Sequence, residues 1–323
     1  MDETTSSHAM SYRSSRHSIA RIALIAAGCV ATGIAVWFIL IADYPLMRDE
    51  IWHWPASLVF GGGLPDVRVL ASYYAGPGPL PYILWGNLHA AGVGLAGLRV
   101  TSLFSLVVFL IGMGFVARQL RAPAVALPIA FMLVQPYILT NGFLLMTDCL
   151  ALALAVWALY QLIAASRSKQ LHHWIKAVVL MVALLYTRIS FLSIPIGLAL
   201  ASLVDRDNRR PALAAGIASV ACVGPLVALW GGVAPLTMQG VHHPTFDPRH
   251  LNHMLMWLGF FFWPYLLTRS RWDFRAPIYL WGIPLLALAS LTQWFMPFDN
   301  LSLIHISEPT RPLYISYAVF CLK

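Results

Sequence analysis

The chain has 323 residues, of which 59% are hydrophobic and 11% charged, with a formal net charge of +8 and a mean hydropathy of +0.72. A soluble domain carries about 25% charged residues, so this composition excludes an ordinary soluble globular protein. No basic run is dense enough to make a nucleic-acid-binding face, which excludes that use of the positive charge.

Residues 1–21 are Ser-rich with Arg13 and Arg16 and read as a basic cytoplasmic N-terminus. The apolar run 22–42 is not closed by a small-x-small cleavage site, so it reads as an anchor rather than a signal peptide. Further apolar runs follow at 99–117, 123–139, 149–165, 177–187, 190–204, 212–231, 251–268 and 276–293. Together they predict an all-α polytopic bundle of about nine membrane helices. The segment 177–204 is too long for one straight span, so it is read as two short crossings meeting near Thr187-Arg188. Trp and Tyr, twelve of each, suit helix ends at lipid interfaces.

Threading the spans with the N-terminus inside puts fourteen basic residues on the cytoplasmic side: Arg13, Arg16, Arg21, Arg118, Arg121, Arg167, Lys169, Lys176, Arg206, Arg209, Arg210, Arg269, Arg271 and Arg275. The outer side receives five, Arg48, Arg68, Arg99, Arg188 and Arg249. That is a positive-inside bias. The outer side also collects Asp43, Asp49, Glu50, Asp66, Asp148, Asp247 and Asp299. The expected location is therefore an integral membrane protein, in a bacterial inner membrane, with its polar chemistry in the periplasm.

The longest connection, 43–98, is outside, and its stretches 51–60 and 79–96 are expected to lie along the interface. A connection of that length in a compact protein is usually functional. Cys29, Cys149 and Cys222 lie in apolar runs and read as small core residues; with Cys321 they show no CxxC spacing. The membrane domain is read as 22–300. In the tail 301–323, the string SLIHISEPTRP resembles translated sequencing-adaptor read-through, so a non-native tail on a C-terminally truncated chain is expected.

The strongest local signal is Met47-Arg48-Asp49-Glu50-Ile51-Trp52-His53, just outside the first run. Adjacent carboxylates raise each other's proton affinity, which suits a general base or a cation site. An acidic helix start favourable to the helix dipole explains the same residues. Next on that side comes Tyr73-Tyr74-Ala75-Gly76-Pro77-Gly78-Pro79-Leu80-Pro81-Tyr82, a rigid turn beside aromatic faces. Tyr74 and Tyr82 suit sugar stacking, or the stretch is a turn leading into an interfacial helix. Met146-Thr147-Asp148 puts a carboxylate at the outer end of an apolar helix, where a charge is costly and usually functional; a helix cap is the alternative. Arg188 is a lone guanidinium facing outer water. It could grip a phosphate with two parallel bonds, or serve as structural partner to Asp148 or to the Asp49-Glu50 pair. His242-His243 and His250-x-x-His253 lack a matched carboxylate, and no metal site is expected from them.

At these residues the chain resembles the GT-C superfamily of glycosyltransferases that use polyprenyl-phosphate sugars. Within it, RDEIWH followed by YYAGPGPLPY looks most like the asparagine-linked glycosylation α-1,2-glucosyltransferase family. Leu98-Arg99, Met146-Thr147-Asp148 and Tyr186-Thr187-Arg188 continue the likeness in order over about residues 20–205. Gly76-Pro77-Gly78-Pro79 and Ile189-Ser190 depart from that family's pattern. The resemblance implies a GT-C-like catalytic bundle and a polyprenyl- or dolichyl-phosphate sugar donor. It implies a lipid-linked or cell-envelope glycan as acceptor. Asp49 would then be the base in an inverting transfer, with Glu50 and His53 orienting it or the acceptor. Arg188 would hold the leaving phosphate, and Asp148 would position Arg188 or the acceptor. No cofactor is implied, because an arginine on the lipid phosphate replaces a metal; a divalent cation near Asp49 and Glu50 is the less favoured option. The competing reading, a transporter or lipid flippase, would call for charges deep in several spans and inverted repeats, and the sequence has neither.

Overall fold

The computed structural model describes residues 22, 24–35, 37, 45–47, 49–119, 129, 133, 136–203, 206–232 and 234–239. The N-terminus, most of the expected 123–139 run, the 251–268 and 276–293 runs, both His pairs and the tail lie outside them, as does Arg48. All regular structure among the described residues is helical.

Three helices are long and apolar enough to cross a bilayer: α5 (Leu95–Gln119), α7 (Asp148–Ser168) and α10 (Arg209–Trp230). At 1.5 Å rise per residue they are about 37, 31 and 33 Å long, against a hydrocarbon core of about 30 Å. They mark a membrane protein. The sequence reading expected about nine spans, so the described residues support only part of that number. Shorter apolar helices are α1 (Leu24–Ala35) and α8 (Leu171–Thr187). α6 (Pro136–Phe143) lies between α5 and α7 and carries the expected 123–139 run on to Phe143.

The break at Arg188 is real. α8 stops at Thr187, Arg188 is extended with φ −148° and ψ 109°, and a 3-10 turn (Ile189–Leu192) leads into α9 (Ser193–Ala201). The helices also start earlier than their apolar runs: α8 at Leu171 rather than 177, and α5 at Leu95 rather than 99. Backbone hydrogen bonding carries a helix past the end of its apolar window until a cap stops it.

The long connection before α5 holds three short helices, α2 (Glu50–Val59), α3 (Val67–Ser72) and α4 (Leu80–Ala90). The expected single stretch 79–96 is therefore two elements. Gly92 divides them, adopting φ +93°, while its N–H and that of Val93 close on the carbonyls of His89 and Leu88. That pair of bonds ends α4 in a left-handed cap that favours glycine. Asp66 caps α3 by accepting from the Arg68 N–H at 3.0 Å.

Packing follows a ladder. α5 packs on α6 and α7, α7 on α8, and α10 on both α8 and α9. α2 and α4 pack on each other, α4 touches α5 and α8, and α3 touches α10. The short helices thus sit over one end of the long ones. An aromatic core holds them there: Phe60, Tyr73, Tyr82, Trp85 and Trp230 are all buried, with neighbouring ring centroids between 5.2 and 6.1 Å apart. The indole N–H of Trp230 donates to the Leu70 carbonyl at 2.8 Å, and that of Trp85 to the Thr101 hydroxyl at 2.9 Å. Each ring therefore contributes buried apolar area without stranding its polar atom. Of the expected core cysteines only Cys149 is buried; Cys29 and Cys222 are exposed on apolar helices, where hydrocarbon would accept them as readily as a core.

Candidate functional site

Glu50 opens α2 and is fully buried. Its Oε1 accepts from Arg99 Nε at 2.9 Å and from the Leu145 N–H at 2.6 Å. Its Oε2 accepts from Arg99 Nη2 at 2.7 Å and from the Met47 N–H at 3.0 Å. Arg99 also donates to the Pro45 carbonyl at 3.1 Å. A carboxylate held by a two-pronged guanidinium and two backbone donors has its acceptor capacity in use. It pins together the starts of α2 and α5 and the turn before α7.

A second ion pair lies at the same end of the bundle. Arg188 Nη1 is 3.2 Å from Asp148 Oδ1, and Nη2 donates to Oδ2 at 3.3 Å. Arg188 Nε donates to the Thr147 hydroxyl at 3.2 Å. Asp148 is the first residue of α7, where its charge suits the helix dipole. This pair is longer than the first, and its arginine side chain keeps 14% exposure against 4% for Arg99. The first pair is sealed, and the second keeps a small exposed fraction.

The Tyr82 hydroxyl lies 2.8 Å from His53 Nδ1, both residues being buried. Burial raises the Tyr82 hydroxyl well above its ordinary pKa, Arg188 opposes this, and Asp49 and Asp148 add to it. The charges of all three residues thus reach this one hydroxyl. Burial, with the positive charge of Arg188 behind it, pushes the His53 imidazole down to about 3. His53 is therefore neutral at physiological pH, and its Nε2 is a buried atom with no partner among the described residues.

This depressed value has a testable sign. Unfolded, His53 takes its proton near pH 6.5; folded, it does not until about pH 3. The unfolded state binds more protons throughout that window, so stability falls as pH drops from about 6.5 toward 3. Melting curves between pH 7 and 4 should show a shallower acid loss for His53→Asn than for the native chain. Parallel curves would remove His53 from this role.

Asp49 stands immediately before α2, half-buried, and its side chain makes no capping bond. Tyr74 is placed differently from Tyr82. It is 49% exposed, and its ring lies 5.2 Å from that of Trp52. Six of the seven residues singled out from the sequence, Asp49, Glu50, His53, Tyr82, Asp148 and Arg188, thus gather at the helix ends, and Tyr74 stands outside with Trp52. Sequence reasoning missed Arg99 as the partner of Glu50, and Thr147 as a ligand of Arg188. The signal for Arg99 was present: a cation inside the opening turn of an apolar span usually has an acid to meet.

Near this cluster, α4, α5 and α7, with Leu180 of α8, border an open apolar cavity of about 610 Å³. Trp85, Ser102 and Met146 line it near the ion pairs, and Val108, Leu154 and Trp157 line it farther along the bundle. No group of three or more His, Cys, Asp or Glu side chains comes together among the described residues.

The chain matches no protein-family model, no curated protein and no solved structure.

Proposed function

We propose that this protein is a membrane glycosyltransferase that moves a sugar from a polyprenyl-phosphate donor to a hydroxyl acceptor on the non-cytoplasmic side. One observation carries the reading: a partly open arginine–carboxylate pair sits at the ends of apolar helices, near an apolar cavity and close to a half-buried carboxylate. A lipid phosphate needs a cation for its headgroup and an apolar path for its chain, and Met146, which lines the cavity, directly precedes the Thr147-Asp148 partners of Arg188.

In this reading Asp49 takes the proton from the acceptor hydroxyl. The acceptor oxygen bonds the anomeric carbon as the bond from that carbon to the phosphate oxygen breaks, with inversion. Negative charge grows on the departing lipid phosphate, where Arg188 stabilises it. Glu50, saturated by four bonds, holds the scaffold rather than accepting a proton. Tyr82 and His53 shape the floor of the site. The N-terminus is cytoplasmic in this scheme, and the acceptor is a lipid-linked or envelope glycan.

Incubating the full-length protein in lipid nanodiscs with a panel of polyprenyl-phosphate sugars tests this directly. Release of polyprenyl phosphate with one sugar is expected. Movement of labelled lipid across a vesicle membrane without such release would replace the reading with transport. Substitution of Arg188 separates its two possible duties. Arg188→Lys keeps the charge and loses the planar fork. It should raise the donor KM and lower kcat with little change in melting temperature. A drop in melting temperature with normal turnover of the folded fraction would make Arg188 a structural partner of Asp148 only.

A further inference from the structure

We propose that Gly78 is a positioning residue for Arg188: the Gly76-Pro77-Gly78-Pro79 turn clasps the break after α8 and fixes where the guanidinium emerges. The claim rests on the reading of Arg188 as a phosphate-holding group, but the clasp itself is backbone geometry. In an unbroken helix the Thr187 carbonyl would accept from the N–H of residue 191. Here the Phe191 N–H turns to the Arg188 carbonyl at 3.2 Å, and the Thr187 carbonyl accepts instead from the Gly78 N–H at 2.8 Å. The loop thus satisfies the acceptor that the break leaves over.

The approach is close enough to demand glycine. A Cβ on Gly78 would collide with the Tyr186 carbonyl oxygen and lie 2.6 Å from its carbon. Those are backbone atoms, which no rotamer change can move aside. Gly78 does not have a positive φ, so alanine there costs no backbone strain of its own. Two bonds anchor the parts that meet. The Tyr73 hydroxyl donates to the Pro77 carbonyl at 2.5 Å, and the Tyr186 hydroxyl donates to the Cys222 carbonyl at 3.1 Å. With both sides held, a methyl group at residue 78 must displace residues 186–188, and Arg188 moves with them.

Gly76 supplies the control from the same turn. A Cβ there meets nothing within 4 Å, so Gly76→Ala should leave the site as it is. Binding of a polyprenyl monophosphate to the full chain in nanodiscs is the measurement. Gly78→Ala should weaken it by about ten- to a hundredfold, the worth of a hydrogen bond to a charged group, while Gly76→Ala binds as the native chain. The double variant Gly78→Ala/Arg188→Lys should bind no worse than Arg188→Lys alone, because both act through one group. A general loss of stability would not give that non-additivity. Native-like binding by Gly78→Ala, or losses that multiply in the double variant, would overturn the proposal. Tyr73→Phe, which frees the other end of the turn without adding an atom, covers the case in which Gly78→Ala does not fold. It should weaken binding in the same direction but by less, and unchanged binding would count against the clasp. If the native chain binds no polyprenyl phosphate, the donor reading fails, and hydrogen exchange decides the clasp separately. Amides of 186–192 should exchange faster in Gly78→Ala and not in Gly76→Ala; equal rates in both would sink it.

Discussion

Asp49→Asn is expected to lower kcat by about 10²–10⁴-fold, the usual cost of removing a general base, with donor binding and melting temperature unchanged. The amide keeps the shape of the carboxylate and discards its basicity. Two features make this substitution cleaner here than at the neighbouring acid. The Asp49 side chain makes no capping bond to α2, and the amide keeps its size and its hydrogen-bonding oxygen. Glu50 is engaged by Arg99 and by two backbone N–H groups, so it cannot take over the proton without breaking them. Single-turnover measurements with saturating donor would isolate the chemical step. Near-native turnover by Asp49→Asn would take the base role from this residue.

The second large effect concerns stability. Arg99→Met should destabilise the fold by about 3–5 kcal/mol, since it leaves Glu50 charged and buried without its partner. The exposed fraction of the Glu50 side chain is 0%, so water cannot replace the guanidinium. The double variant Glu50→Gln/Arg99→Met should recover a large part of the loss, because no charge then stays in the interior. Tryptophan fluorescence during denaturation in mild detergent measures both. A loss below about 1 kcal/mol for Arg99→Met would show that the pair is not sealed as its geometry implies.

Much of the site was legible from the sequence because charges are rare in apolar surroundings and each asks for a reason. Arg188 and Asp148 were marked on that ground, and their pairing was one of the two alternatives open for Arg188. His53 and Tyr82 were also marked, His53 for orienting the base or acceptor and Tyr82 for sugar stacking, and not for the bond they make with each other. The Glu50–Arg99 pair was not legible. The two residues are 49 apart, and nothing local says that α2 folds back over the start of α5. Gly78 was seen as part of a turn, but its purpose lies in a contact between two backbones, which leaves no side-chain trace to read. The early starts of α5 and α8 have a related reason. Hydropathy marks what a membrane would accept, whereas the hydrogen-bond ladder decides where a helix stops. The division of 79–96 at Gly92 followed from a single positive φ rather than from any change in polarity.

The fourfold grip on Glu50 also sets an order of assembly. Its carboxylate needs the N–H of Leu145, 95 residues farther along the chain, and the turn carrying that N–H directly precedes α7. A growing chain that has placed α2 and α5 in or on the membrane still lacks one of the four donors. Until α7 arrives, the acid has only Arg99 and Met47 for company, and α2 has little reason to settle over the helix ends. Closing a loop of that length costs entropy that only the finished contact repays. The grip on Glu50 therefore cannot be completed until the turn before α7 has been made, well after α2 and α5.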